Sequence, residues 1–185
     1  FSMTIAVSAA TASLIFVYLY HPALGMLNYL LNLAGLPSVP WLTDVRFALP
    51  SVALVTVWLQ LGLNTVILLA GMQGIPEELY ESAMNDGASG GAKFRHITLP
   101  LLKPTILVVL VLRTIEAFKV FDIVYVMTRG GPASGTTTIA FYTYLQAFSN
   151  QQFGLGSALA YVTVACIMVL AVVYMRMLGR KESAS

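Results

Sequence analysis

Four long apolar runs constrain this chain more than any other feature. Phe1–Tyr20 and Pro50–Met72 carry no charged residue, and Leu155–Leu178 carries none before Arg176. Pro104–Met127 is equally apolar but surrounds four charges, Arg113, Glu116, Lys119 and Asp122. About 20 apolar residues are needed to cross the hydrocarbon core of a bilayer as a helix. The runs are too long for barrel strands and show no strict alternation. A backbone in lipid must also satisfy its own hydrogen bonds, which leaves helix as the reading. The predicted fold class is therefore all-α: a polytopic membrane protein with four transmembrane helices, at about 1–20, 50–72, 104–127 and 155–178, and a loop over 73–103.

Composition agrees. The chain is 58% hydrophobic and 10% charged, whereas soluble domains carry about 25% charged residues. The apolar excess must face lipid. A net charge of +2 gives no reason to expect a nucleic-acid partner. Cys166 is the single cysteine, so no disulfide framework or cysteine-based metal site is available within the chain. His21 and His96 stand in no metal-ligand pattern, and no metal is expected. The spans hold no Ser/His, paired-Asp or His-cluster arrangement, so no catalytic residue is assigned. The chain opens inside an apolar run, without Met or a basic leader. We expect it to be the C-terminal part of a longer chain, with N-terminal spans missing.

Basic residues orient the spans. Lys93, Arg95 and Lys103 lie between the second and third runs, and Arg176, Arg180 and Lys181 lie at the C-terminus. The other side holds Arg46 and Arg129. The bias puts 73–103 and the C-terminus in the cytoplasm, with 21–49 and 128–154 facing outward. Tyr18, Tyr20, Trp41 and Tyr142 fall near the outer interface, as aromatic belts do. Leu24, Leu27 and Leu31 recur at helical spacing and predict a short interfacial helix over 22–35, ended by Gly35 and Pro37. Residues 128–138 are rich in turn formers, and the aromatic stretch after them predicts a helix at the surface or dipping partly into the membrane.

The 73–103 loop is more than a connector. Pro76 suits the first turn of a helix, and Glu77, Glu78 and Glu81 favour its positive end. Leu79, Tyr80, Ala83 and Met84 form an apolar stripe. Gly87 fits the left-handed position just past a helix end. Ser89 is placed to cap a second short helix running towards His96. Pro100 and Pro104 then mark re-entry into the membrane. The stripe either packs on the chain's own spans or docks into a partner; its pattern does not choose.

Glu81-Ser82-Ala83, three residues, Gly87, nine residues, Ile97-Thr98-Leu99-Pro100 resembles the signature loop of binding-protein-dependent ABC permeases. Only Ser82 departs from that pattern, replacing one small residue by another. Trp58-Leu59 through Ile75-Pro76-Glu77-Glu78-Leu79-Tyr80, Phe121-Asp122, Thr128–Pro132 and Phe153–Ala158 are similar to the carbohydrate branch of the family. The likeness is nearest to maltose- and trehalose-type permeases. It implies a non-catalytic subunit of an ATP-driven sugar importer, which would form half of the translocation pathway with a second homologous permease subunit. It further implies two cytoplasmic ATPase subunits, which would bind ATP and Mg, and an extracellular or periplasmic sugar-binding protein. The chain itself would need no cofactor; indeed it lacks a Gly-x-x-x-x-Gly-Lys-Ser/Thr phosphate loop. By the resemblance, Glu81, Ser82, Ala83, Asp86, Gly87, Ile97, Leu99 and Pro100 would make the ATPase-coupling elbow. The localisation implied is the bacterial or archaeal inner membrane.

The charges of the third run need an explanation, because a charge at a helix centre costs about 2.5–3.5 kcal/mol on insertion scales. Arg113 lies about 13 Å along the helix from Pro104, at 1.5 Å per residue. Glu116 is one turn further, close enough to pair with it. The pair would serve as a structural ion pair, a polar lining for a hydroxyl-rich substrate, or a proton relay. In the second run Gln60 and Asn64 share a face, which Thr56 extends. The resemblance implies a mid-membrane sugar site at Thr56, Gln60, Leu63, Arg113, Glu116, Ala117 and Val120, beside Asn64. The resemblance of Arg113–Phe118 to trehalose and maltose permeases implies an α-linked glucose disaccharide. The alternatives are a permease for another solute of the same class and an ion-coupled secondary transporter, although no internal repeat is visible.

Overall fold

The computed structural model describes residues 7–182, with side chains as far as Arg176. Residues 1–6 of the first predicted span, and the side chains of Arg180 and Lys181, lie outside the described residues. Among the described residues the regular structure is helical, with no strand. The elements are α1 (Ala9–Leu19), α2 (Met26–Leu33), α3 (Val45–Gln73), α4 (Glu77–Asn85), α5 (Gly90–Lys93), α6 (Leu99–Phe118), α7 (Asp122–Met127), α8 (Ile139–Tyr144) and α9 (Phe153–Glu182). Wider π turns follow α5 at Phe94–Thr98 and α8 at Leu145–Ser149. Val45–Gln73, Gly90–Phe118 and Phe153–Arg176 are each long and apolar enough to cross a membrane, and Ala9–Leu19 is a shorter apolar helix.

The helices extend beyond the apolar runs that begin at Pro50 and Pro104. Pro50 lies inside α3, which begins instead after Asp44, whose Oδ1 accepts the Arg46 backbone N–H at 2.8 Å. Pro104 and Pro100 lie inside the rod running from Gly90 to Phe118. A proline keeps a helical φ and costs its own N–H and a clash one turn back. Local widening offsets both in membrane helices. Here the Leu99 N–H reaches back to the Phe94 carbonyl, in a π turn directly before Pro100. Pro104 therefore starts no helix of its own.

The third predicted span is not continuous to Met127. α6 ends at Phe118 and α7 starts at Asp122. The Lys119 N–H closes on the Glu116 carbonyl at 3.0 Å, a tightened last turn. The Val120 carbonyl accepts a bond from the Thr138 hydroxyl at 2.7 Å. A side chain thus captures the carbonyl at the break.

The chain forms two compact units. The first comprises residues 1–62 and 116–166. Its core joins Tyr20, Val52, Val55, Ile123, Val124, Met127 and Phe141. The stretch after residue 138 is therefore not only a surface helix, because Phe141 is part of this core. Asn28, on α2, is 2% exposed and fully used. Its amide nitrogen donates to the carbonyls of Pro22 and Val39, and its oxygen accepts from the Val39 N–H and Trp41 Nε1. The Trp41 carbonyl accepts from Ser51 Oγ on α3 at 3.0 Å. Trp58 packs edge-on against Phe16, with ring centroids 5.4 Å apart.

The second unit comprises residues 63–115 and 167–185. Within it α3 and α6 meet at a small residue: a Cβ built at Gly71 would lie 2.6 Å from Thr105 Oγ1 and 3.0 Å from Leu102. Small residues let membrane helices approach closely. Thr114 and Tyr174 share a hydroxyl hydrogen bond of 3.2 Å between α6 and α9.

Candidate functional site

The elbow between α3 and α6 belongs wholly to the second unit. α4 carries Glu77 and Glu78 in its first turn, where the helix dipole favours them. Pro76 sits one position earlier than expected, at the N-cap. The helix stops at Gly87, whose φ is +72°. The Gly87 N–H bonds to the Met84 carbonyl at 3.0 Å and the Ala88 N–H to the Ala83 carbonyl at 2.9 Å, the paired bonds of a Schellman ending. A Cβ at Gly87 would meet nothing within 4 Å, so backbone conformation alone asks for glycine here. Ser89 caps the next helix, its hydroxyl accepting the Ala92 N–H. That helix does not stop near His96. It continues through the π turn into α6.

None of the α4 residues is buried. The apolar stripe divides in two: Leu79 and Met84 are 42% and 54% exposed, whereas Tyr80 and Ala83 are half-buried. The Tyr80 hydroxyl lies 2.8 Å from Thr98 Oγ1, at the end of the π turn. Glu81, Ser82, Asp86 and Gly87 are exposed, Ile97 is half-buried, and Leu99 and Pro100 are exposed at the start of α6. The elbow thus presents an acidic and apolar outer surface, and one polar tie inward. Sequence spacing missed Thr98, because its partner lies on a separate helix 18 residues away.

The positions expected to line a membrane site fall in both units. In the first, Thr56 is half-buried and spends its hydroxyl proton on the Val52 carbonyl at 3.0 Å. Gln60 is half-buried, Ala117 is exposed, and Val120 packs against the core. Glu116 does not pair with Arg113, as the spacing had suggested. It pairs with Lys119 at 3.2 Å, both side chains remaining solvent-facing. Acid before base along the chain is the better order against the helix dipole, and it selects Lys119. In the second unit Leu63 is exposed, while Asn64 and Arg113 are half-buried. Asn64 Oδ1 and Arg113 Nε are both buried without a hydrogen-bond partner. A buried donor or acceptor left unpaired costs about 1–3 kcal/mol. An acceptor and a donor in this condition are suited to a hydroxyl-bearing ligand, since a hydroxyl both donates and accepts. Among the described residues no group of His, Cys, Asp and Glu could hold a metal. His21 instead accepts the Ala23 and Leu24 N–H groups through Nδ1.

Comparison with known proteins gives a consistent result. The family described as "Binding-protein-dependent transport system inner membrane component" matches residues 2–182. The chain is 42% identical over 171 residues to the sulfoquinovosyl glycerol transport system permease protein SmoG of Agrobacterium fabrum, covering 92% of this chain and 56% of that protein. It is 40% identical over 170 residues to the trehalose/maltose transport system permease protein MalF of Thermococcus litoralis, with coverage of 92% and 56%. A solved bacterial transporter that imports the acidic polysaccharide alginate superposes with a TM-score of 0.87 at 26% identity, over 97% of this chain and 63% of that one. The chain thus spans a little over half the length of these curated relatives.

Proposed function

Because the chain belongs to the family of binding-protein-dependent transport system inner membrane components, we propose that it forms part of the permease subunit of an ATP-driven importer for sugars or similarly hydroxylated solutes. The names of its relatives support the solute class: sulfoquinovosyl glycerol, trehalose and maltose, and alginate. In this reading the subunit is not catalytic. It lines half of a pathway completed by a second permease subunit, and two cytoplasmic ATPase subunits hold ATP and Mg. An extracellular binding protein delivers the solute. An alginate transporter solved with its alginate pentasaccharide-bound periplasmic protein supports such a partner. The basic residues of 73–103 and of the C-terminus support a cytoplasmic side for both.

The observation that carries the reading is α4: a short acidic helix with no buried residue, closed by a turn at Gly87 that only glycine adopts without strain. Its exposed Leu79, Met84, Glu81 and Asp86 are the surface an ATPase cleft would grip. Closure of the ATPases would then move α4 as a body and tilt the spans attached to it. Thr56, Gln60, Leu63, Asn64, Arg113, Glu116, Ala117 and Val120 are the proposed solute positions. The unpartnered Asn64 Oδ1 and Arg113 Nε support that assignment most directly.

The test is a detergent pull-down of the full-length protein followed by solute-stimulated ATP hydrolysis. An ATPase subunit should co-purify, and stimulation should drop in Gly87→Val and Glu81→Ala. Uptake that persists without any ATPase and follows a proton gradient would overturn the reading.

A further inference from the structure

We propose that Tyr80 and Thr98 form the strut through which displacement of α4 enters the long helix that follows it; the inference rests on reading α4 as the coupling element. Among the described residues, Tyr80 is the one α4 side chain hydrogen-bonded to another element. The chain enters α4 through Gly74, Ile75 and Pro76 and leaves it through the hydrogen-bonded turn at Gly87. The Tyr80 bond adds a direct, non-covalent path for a force on α4.

Thr98 provides the receiving end. It is 4% exposed, the one buried residue of the π turn. It also begins a stripe. Thr98, Leu102, Thr105 and Val109 recur at i, i+4, i+7 and i+11, which is one face of a helix. Thr98, Leu102 and Val109 are buried, and Thr105 lies where α6 closes on Gly71 of α3. The Tyr80 bond thus lands at the cytoplasmic root of the packed face of α6, not on its exposed side. Packed elements move as bodies, so a push at Thr98 is delivered to the α6–α3 crossing. The π turn adds a reason for the location: its i→i+5 bond is less tightly wound, and π turns recur at functional positions.

A hydroxyl pair suits this role because its geometry is directional, whereas an apolar contact at the same place would slide. Tyr80 is then a positioning residue: it touches neither solute nor nucleotide. Tyr80→Phe strands the buried Thr98 hydroxyl, and Thr98→Val strands the Tyr80 hydroxyl with little change of shape.

The experiment uses the full-length chain assembled with its ATPase subunits. It measures ATPase association and solute moved per ATP hydrolysed, for Tyr80→Phe, Thr98→Val, the double variant and Thr98→Ser. Association should be unchanged. Solute per ATP should fall roughly three- to tenfold in each of the first two, the scale of one hydrogen bond. The double variant should be no worse than either single, because the two share one bond. Thr98→Ser keeps the hydroxyl and should keep the original ratio. The strut is refuted if Tyr80→Phe leaves the ratio intact, if the single effects multiply in the double variant, or if Thr98→Ser fails like Thr98→Val. Absence of any ATPase on the unmodified chain would instead sink the permease reading itself.

Discussion

Asn28 and Asn64 are the same side chain in opposite conditions. Asn28, in the first unit, uses both amide protons and both oxygen lone pairs on partners within the chain. Asn64, in the second, holds a buried oxygen with no partner. The contrast extends around them. Near Asn28 the polar groups close on one another: Ser51 on the Trp41 carbonyl, Tyr20 on the Ser51 carbonyl. In the second unit Arg113 Nε is unpaired and α4 buries none of its residues. One region is finished by its own chain. The other keeps buried hydrogen-bonding capacity that its own chain leaves unused.

The sharpest way to break this contrast is one substitution made twice. Asn28→Leu strands the Trp41 Nε1–H, the Val39 N–H and two carbonyls. It should cost at least about 4 kcal/mol, the low end of 1–3 kcal/mol for each of the four groups left unpaired. Asn64→Leu removes an oxygen already unpaired, so stability should hold or rise. Thermal unfolding in detergent, followed by tryptophan emission, reads both. Equal losses at the two sites would show that Asn64 is as structurally committed as Asn28.

Arg113→Met sharpens the same point towards function. The guanidinium makes no ion pair among the described residues, so assembly should survive its removal. Solute affinity should fall about tenfold, equivalent to 1.4 kcal/mol. Isothermal titration of the purified full-length protein with a disaccharide distinguishes the outcomes. Collapse of assembly with no effect on residual binding would return Arg113 to a structural role. Glu116→Ala is the companion variant. Its carboxylate is engaged by an exposed Lys119, where a pair is worth little, so lost uptake would report solute contact and not fold damage.

What the sequence made legible is what depends on near neighbours. The turn at Gly87 and the cap at Ser89 follow from local backbone chemistry, and both were readable from residue type and spacing. The apolar rods were readable from length alone. What escaped depends on distant partners. The break at Lys119–Phe121 needs Thr138, and the Tyr80–Thr98 tie needs two helices to meet. The helices run past Pro50 and Pro104, which apolar length alone does not reveal: proline restricts a helix only through its own missing donor and ring, and the helix around each accommodates both. The Arg113–Glu116 pairing failed for another reason. Two i, i+3 pairs compete for Glu116, and their order along the dipole decides between them.

Gly87→Ala probes the elbow more gently than any change inside a core. The site has open space, so the cost is conformational: roughly 1 kcal/mol for a side chain held in the left-handed region. The chain should still assemble, with ATPase stimulation reduced severalfold. Gly90→Ala is the control, because Gly90 lies on the same loop with open space and no positive φ. If both alanines act alike, the turn at Gly87 is not what positions α4.

The smallest effect belongs to the finished region. Asp44 accepts bonds from the Arg46 side chain and backbone N–H, and the former most of all holds its carboxyl below the usual carboxylate range. A lowered folded pKa means the ionised form is favoured by folding. The contribution is present above the unfolded pKa and is lost as pH falls through the folded one. Because Arg46 is exposed to solvent, that contribution should be slight and sensitive to salt. Asp44→Asn should therefore unfold marginally earlier than the parent at pH 6 and indistinguishably from it once the parent's carboxyl is protonated. A gap that widened on acidification would mean that Asp44 is stabilised as the neutral acid. The start of α3 would then be organised by something other than its bond to Arg46.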